Sequence, residues 1–234
     1  MSIRKLLIAT SMVALMTSGA VAQTTAPPAT PSATMPAAAK SQPDADMRKV
    51  LDALAALGPK PIETLSPSEA RKQYGPADAV KKVVKDEKLD IDPRAGVSVS
   101  NQRFADMGNL RLRWYVPEKS TKESNLPVVV YFRGGGWVIA DLDAYDATPA
   151  ALSRKLNAAV VSVDYPMAPE NKFPAAHDEA IDAYKYVLKN AKGWGYDPEK
   201  IAIVGESAGG NAAANTAIAA RDQILTTRLA VVSV

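Results

Sequence analysis

The pattern of apolar and polar positions changes period along the chain, and the changes divide it into elements. "MRKVLDALAALG" (47–58) places Val50, Leu51, Leu54 and Leu57 on one helical face, with Gly58 as a stop. "SPSEARKQYG" (66–75) predicts a second short helix, opened by Ser66, with Pro67 at its first position and Glu69 three residues after the cap. "GVSVSNQRF" and "LRLRWYVP" alternate like half-exposed strands around the turn "DMGN". "PVVVYF" (127–132) is a continuous β-branched run, as expected of a strand covered on both faces. A helix pattern over 148–157, a buried strand "AVVSVDY" and a longer helix over 173–191 follow. That helix carries Ile181, Tyr184, Val187 and Leu188 on one stripe. The strand "KIAIVG", the Ala-rich helix "SAGGNAAANTAIAARD" and the strand-like "RLAVVSV" complete the series. Strands alternating with helices predict an α/β fold, a mostly parallel sheet flanked by helices and joined by right-handed crossovers.

The N-terminal stretch carries a different pattern. Residues 1–22 read as an export signal: Arg4 and Lys5 begin it, Leu6 to Met16 is mostly apolar, and Ala20-Val21-Ala22 presents small residues to a signal peptidase. The apolar run is shorter than the ~20 residues a membrane span requires. The expectation is an exported, periplasmic or secreted protein with no stable membrane insertion after cleavage. Residues 23–46, rich in Ala, Pro and Thr, have little apolar bulk to bury and are expected to form a disordered linker. Residues 47–95 would then hold N-terminal cap helices and 96–234 the core.

Composition narrows the chemistry. At 47% hydrophobic and 23% charged residues, the chain is an ordinary globular sequence, and its net charge of +3 comes from scattered Lys and Arg, which gives no nucleic-acid surface. The absence of cysteine rules out disulfides, thiolate metal sites and a thiol nucleophile.

Three local patterns carry chemistry. Gly205-Glu206-Ser207-Ala208-Gly209 is a G-x-S-x-G set between a strand and a helix. A serine nucleophile must stand exposed on a tight strand-to-helix turn, and the glycines let the two elements approach. The same pattern suits a plain helix N-cap serine, but the strand–turn–helix context favours the nucleophile. Arg133-Gly134-Gly135-Gly136-Trp137 follows the strand "PVVVYF" directly. Its glycines can expose backbone N–H groups to an oxyanion. A phosphate loop would require Lys-Ser/Thr and an immediate helix, and Trp137-Val138-Ile139 supplies neither. Asp164-Tyr165-Pro166-Met167-Ala168-Pro169-Glu170 leads into Phe173-Pro174-Ala175-Ala176 and by itself is a Pro-rich turn.

In the order "GGGW", "DYPMAPE", "FPAA", "GESAGGN", the sequence resembles the hormone-sensitive-lipase family of α/β hydrolases from about Met47 onward. The resemblance implies an α/β-hydrolase fold and a carboxylic-ester hydrolase acting on small-molecule esters without a cofactor. It also implies Ser207 as the nucleophile that forms an acyl-enzyme, with Gly135, Gly136 and Ala208 as oxyanion donors. Two departures stand out. Arg133 occupies the position of the family's HGGG histidine. After Ser207 no histidine follows, although the partners in this fold come in the order Ser, Asp or Glu, His. The one acid there, Asp222, lies beside Arg221, and the single histidine, His177, precedes the nucleophile. The expectation is therefore a truncated chain, inactive or nearly so, lacking the strands that carry the acid and the base. The alternative is a non-catalytic ligand-binding protein on the same scaffold, as plant gibberellin receptors resemble hydrolases that have lost the histidine.

Overall fold

The computed structural model describes residues 42–223 and 229–233. The expected export signal and all but the end of the linker lie outside the described residues. Helix α1 (Ala45–Leu57) begins two residues before the expected start, because the Asp44 carboxylate accepts the Met47 N–H at 2.8 Å and caps it. Gly58 ends it in the left-handed conformation, as the sequence implies. The Ser66 capping box forms, with the Glu69 carboxylate accepting the Ser66 N–H at 2.9 Å, but α2 (Pro67–Ala70) is only one turn long.

A third helix, α3 (Pro76–Asp86), was not anticipated, although Pro76 at its first position and Asp78, which accepts the Gly75 N–H at 2.9 Å, mark its start. Helices α1 and α3 pack on each other, with Ala53 and Ala79 buried. Leu51 of the expected apolar face stays exposed. The small Ala53 lets the partner helix approach on its side of α1.

Strands β1 (Val97–Phe104), β2 (Leu110–Pro117), β3 (Leu126–Phe132), β4 (Ala159–Val163), β5 (Tyr196–Glu206) and β6 (Leu229–Ser233) form one sheet in the order β1-β2-β4-β3-β5-β6. β1, β2 and β4 pair antiparallel; β4, β3, β5 and β6 pair parallel. The crossovers are α4 (Ala147–Leu156), α5 (Ala175–Trp194) and α6 (Ala208–Asp222). The continuous run of β3 is buried on both faces because successive side chains alternate. Val128, Val130 and Phe132 join Tyr184, Val187, Ala212 and Ala213 on the α5–α6 side, while Val129 and Tyr131 join Tyr115, Ala150 and Val160 on the α4 side. Among the described residues no helix is long and apolar enough to cross a membrane.

The hairpin, α4 and the segment before β1 are tied by one carboxylate. Buried Asp146 accepts from Tyr115 Oη at 2.6 Å, from Arg113 Nη1 at 3.1 Å and from Arg94 Nε. Arg113 also donates to Asn101 at 2.8 Å and to Asp143 at 2.6 Å. Burial on its own raises the Asp146 pKa, but the bonds from Arg94, Tyr115 and Arg113 outweigh it and hold the carboxyl below its ordinary value. Removing a buried charge partner strands the others, so Asp146→Ala should lower stability by about 3–5 kcal/mol in urea unfolding. Because the folded pKa is depressed, this contribution is complete above the ordinary carboxylate pKa of ~3.9 and is lost as pH falls through the lower folded value. Asp146→Asn should therefore flatten the acid limb of the stability curve.

Candidate active site

The elbow is set by two glycines. Strand β5 ends at Glu206 and α6 starts at Ala208, leaving Ser207 to turn the chain at φ 52°, ψ −117°. A Cβ on Gly205 would overlap the Gly209 carbonyl, and one on Gly209 would overlap the carbonyls of Phe132 and Arg133. With neither Cβ present, strand, helix and the end of β3 come together, and the turn between them lies outside the usual non-glycine region. Such a conformation costs about 1–3 kcal/mol and persists only where its surroundings enforce it. Ser207 is exposed at the tip, and its carbonyl accepts the Asn211 N–H at 3.0 Å.

The glycine loop lies beside the elbow because Phe132 pairs in register with Gly205. Gly135, at φ 116°, accepts the N–H groups of Val138 (3.0 Å) and Ile139 (2.9 Å) with its carbonyl. Gly136 and Trp137 follow at φ 56° and 61°. Gly134 leaves room for the Tyr145 hydroxyl, which a Cβ would overlap. Behind the elbow, Tyr131 Oη donates to Glu206 Oε1 at 2.6 Å, and burial followed by this bond pushes the Tyr131 phenol well above its ordinary pKa.

Arg133, the departure from the family motif, is fully buried. Its Nη1 donates to the carbonyls of Gly134 and Ile139, both at 3.2 Å, and its Cζ lies 4.5 Å from the centre of the Tyr165 ring. Tyr165 Oη donates to the Arg133 carbonyl at 2.8 Å. Asp164, whose position suggested only a turn, pairs with Arg111 at 2.7 Å and lies 3.7 Å from Arg133 Nη2.

His177 sits in the first turn of α5, its Nε2 bonded to Asn211 Oδ1 at 2.8 Å and its ring between Trp137 and Phe173. That nitrogen is held one turn along α6 from Ser207, in a contact between helices. Asp222 pairs with Arg221 at the exposed end of α6. Among the described residues no cluster of His, Cys, Asp or Glu is arranged to hold a metal ion.

Arg71, which sequence reasoning passed over, ties the α2 segment to this region. It donates to Val138 O and Ala168 O, both at 2.7 Å, and forks onto Glu170 at 2.8 Å. The bonds from Arg71 hold the Glu170 carboxyl down to about 2. Nothing in the local sequence marks Arg71, since its partners lie nearly 70 to 100 residues away.

Residues 129–233 match a family model described as an alpha/beta hydrolase fold. Over 133 residues the chain is 49% identical to "Carboxylesterase NlhH" of Mycobacterium tuberculosis, covering 57% of this chain and 41% of that protein. It is 31% identical over 173 residues to "Ethyl acetate hydrolase" of Pseudomonas putida, covering 73% of this chain and 52% of the relative. A hyperthermophilic esterase from the archaeon Pyrobaculum calidifontis superposes with a TM-score of 0.64 at 34% identity, covering 81% of this chain and 57% of that one. The chain thus spans about half the length of the relatives it matches.

Three substitutions probe this geometry. Gly209→Ala meets backbone rather than a yielding side chain, so it should cost about 2 kcal/mol or more in urea unfolding. Gly136→Ala meets no atom within 4 Å and should cost only about 1 kcal/mol, from its positive φ. Arg71→Ala should speed limited proteolysis between residues 58 and 96, read by mass spectrometry, and leave cleavage of the sheet unchanged. The Arg71–Glu170 tie, present above the ordinary glutamate pKa, should be lost only as pH falls towards about 2.

Proposed function

Residues 129–233 are an α/β-hydrolase domain similar in sequence and fold to carboxylesterases, and from that premise we propose that the chain carries the nucleophile and oxyanion half of a serine carboxylesterase site. Ser207 Oγ, its proton passing to a base, attacks the ester carbonyl carbon, the carbonyl oxygen becomes the oxyanion, and the ester C–O bond breaks as the alcohol leaves with that proton, giving an acyl-enzyme that water hydrolyses. The N–H groups of Gly135, Gly136 and Ala208 receive the oxyanion. The substrate is a small carboxylic ester. Residues 1–22 act as an export signal, and residues 47–95 cover the site. The observation that carries this reading is Ser207 at positive φ, exposed between a glycine-flanked strand and helix and beside the loop after β3.

A nucleophilic serine also needs a base within ~3 Å, and the chain's one histidine is bonded to Asn211. Residues 1–234 by themselves should therefore turn over esters several orders of magnitude more slowly than a site with a complete triad. Donors and binding alone can still supply roughly 10³–10⁴-fold acceleration when a triad member is missing.

The test is acylation rather than turnover. The folded chain is incubated with p-nitrophenyl acetate or a fluorophosphonate, and the modified residue is located by mass spectrometry. A slow, single adduct on Ser207 is expected, absent in Ser207→Ala, and accelerated by added imidazole in proportion to its free base. A folded chain with no adduct, or with adducts spread over other serines, would favour a non-catalytic ligand-binding role.

A further inference from the structure

We infer that Arg133 is the positioning residue of the oxyanion loop: its buried guanidinium clamps the loop from inside by holding the carbonyls at both of its ends. This rests on the reading of Gly135 and Gly136 as the oxyanion donors and says what keeps them in place.

A fully buried guanidinium is costly unless its surroundings use it. Arg133 has no exposed surface, yet among the described residues its Nε and Nη2 have no hydrogen-bond partner, and its nearest carboxylate oxygen lies 3.7 Å away, on Asp164. A close ion pair therefore does not account for its burial. Its direct hydrogen bonds go to the loop. One nitrogen, Nη1, donates to Gly134 O and Ile139 O, the two ends of the segment that contains Gly135, Gly136 and Trp137. Tyr165 completes the clamp, with its ring under the guanidinium and its hydroxyl on the Arg133 carbonyl. Arg71 Nε also holds Val138 O, so the segment is gripped by two guanidinium groups belonging to different elements.

The loop requires such a clamp. Gly135, Gly136, Trp137 and Ala140 all have positive φ, and Trp137 and Ala140 are not glycines. Released from its contacts, such a segment relaxes to ordinary backbone and its N–H groups turn away. An oxyanion hole gains its effect from donors that are already oriented when charge develops.

The test is hydrogen exchange on the full chain, resolved to the 134–140 segment, with β3 and β4 amides as internal reference. Arg133→Met keeps the bulk and removes the donors, and it should raise exchange at Val138 and Ile139 at least 10-fold relative to the sheet. Arg133→Lys, which retains charge and donors, should stay within about threefold of the wild type. Met-variant protection equal to wild type, or a Lys variant as loose as the Met variant, would overturn the clamp.

If the Met variant does not fold, Tyr165→Phe decides. It removes the hydroxyl bonds to the carbonyls of Arg133 (2.8 Å) and Gly134 (3.4 Å) and should raise loop exchange several-fold, and unchanged exchange counts against the proposal. In the adduct assay, kinact for Ser207 should follow loop protection across the variants while KI stays constant, and kinact independent of loop protection would sever the clamp from the oxyanion hole. Should the wild type give no Ser207 adduct, the acyl-enzyme reading fails and the exchange comparison still decides whether Arg133 holds the loop.

Discussion

The site depends on one steric constraint, the convergence of β5, α6 and the end of β3 at Gly205 and Gly209. A side chain at either glycine would occupy the space of a neighbouring backbone carbonyl. Because the backbones meet there, the chain must reverse within a single residue, and that residue is Ser207, at positive φ with its side chain exposed. The parallel pairing of Phe132 with Gly205 then fixes where the loop after β3 can go. Ser207 and the loop are placed by the same contact, so a change that separates α6 from β3 moves both.

Around that point the fold is fastened by buried or half-buried charge. Asp146 gathers Arg94, Arg113 and Tyr115 and so joins the hairpin to α4. Arg71 joins the α2 segment to the 138 and 168–170 loops, and Arg133 spans the 134–139 loop. The three arrangements differ in kind. Asp146 is a carboxylate with several donors, whose partners keep it charged under load. Arg71 is satisfied on every nitrogen. Arg133 is not, and its burial is accounted for by the loop it holds and by the ring of Tyr165 below it.

What could be read in the sequence was what depends on local chemistry. The β-branched run of β3 could only be a strand covered on both faces, and "GESAG" between a strand and a helix could only turn sharply. The Ser66 capping box could be read because its partners are three residues apart. The α3 helix was missed although Gly75, Pro76 and Asp78 mark its start and Val80, Val83 and Val84 keep helical spacing. Arg71 and Arg133 could not be assigned by any local rule. Their partners come from segments remote in sequence, and only the folded chain brings Val138, Ala168 and Glu170 to one guanidinium, or Tyr165 beneath another. The resemblance to hormone-sensitive-lipase-type hydrolases anticipated the fold, and it marked Arg133 as a departure without saying what the departure does.

His177 shows why proximity in the fold does not make a catalytic base. It lies near Trp137 of the loop and bonds to Asn211 on the helix that begins after Ser207, so every element around it belongs to the site. A base must nevertheless direct a free ring nitrogen at the serine hydroxyl, with its other nitrogen oriented by an acid. Here Nε2 is engaged by an amide, and Nδ1 is buried with no partner among the described residues. Among the described residues no carboxylate is bonded to the ring. The ring instead packs between Trp137 and Phe173, joining the first turn of α5 to α6 and to the loop. The chemistry of the chain therefore divides in two. In the proposed reading the fixed backbone donors stabilise charge that develops on a carbonyl oxygen, whereas His177, the chain's one histidine, is bonded to Asn211 rather than to Ser207.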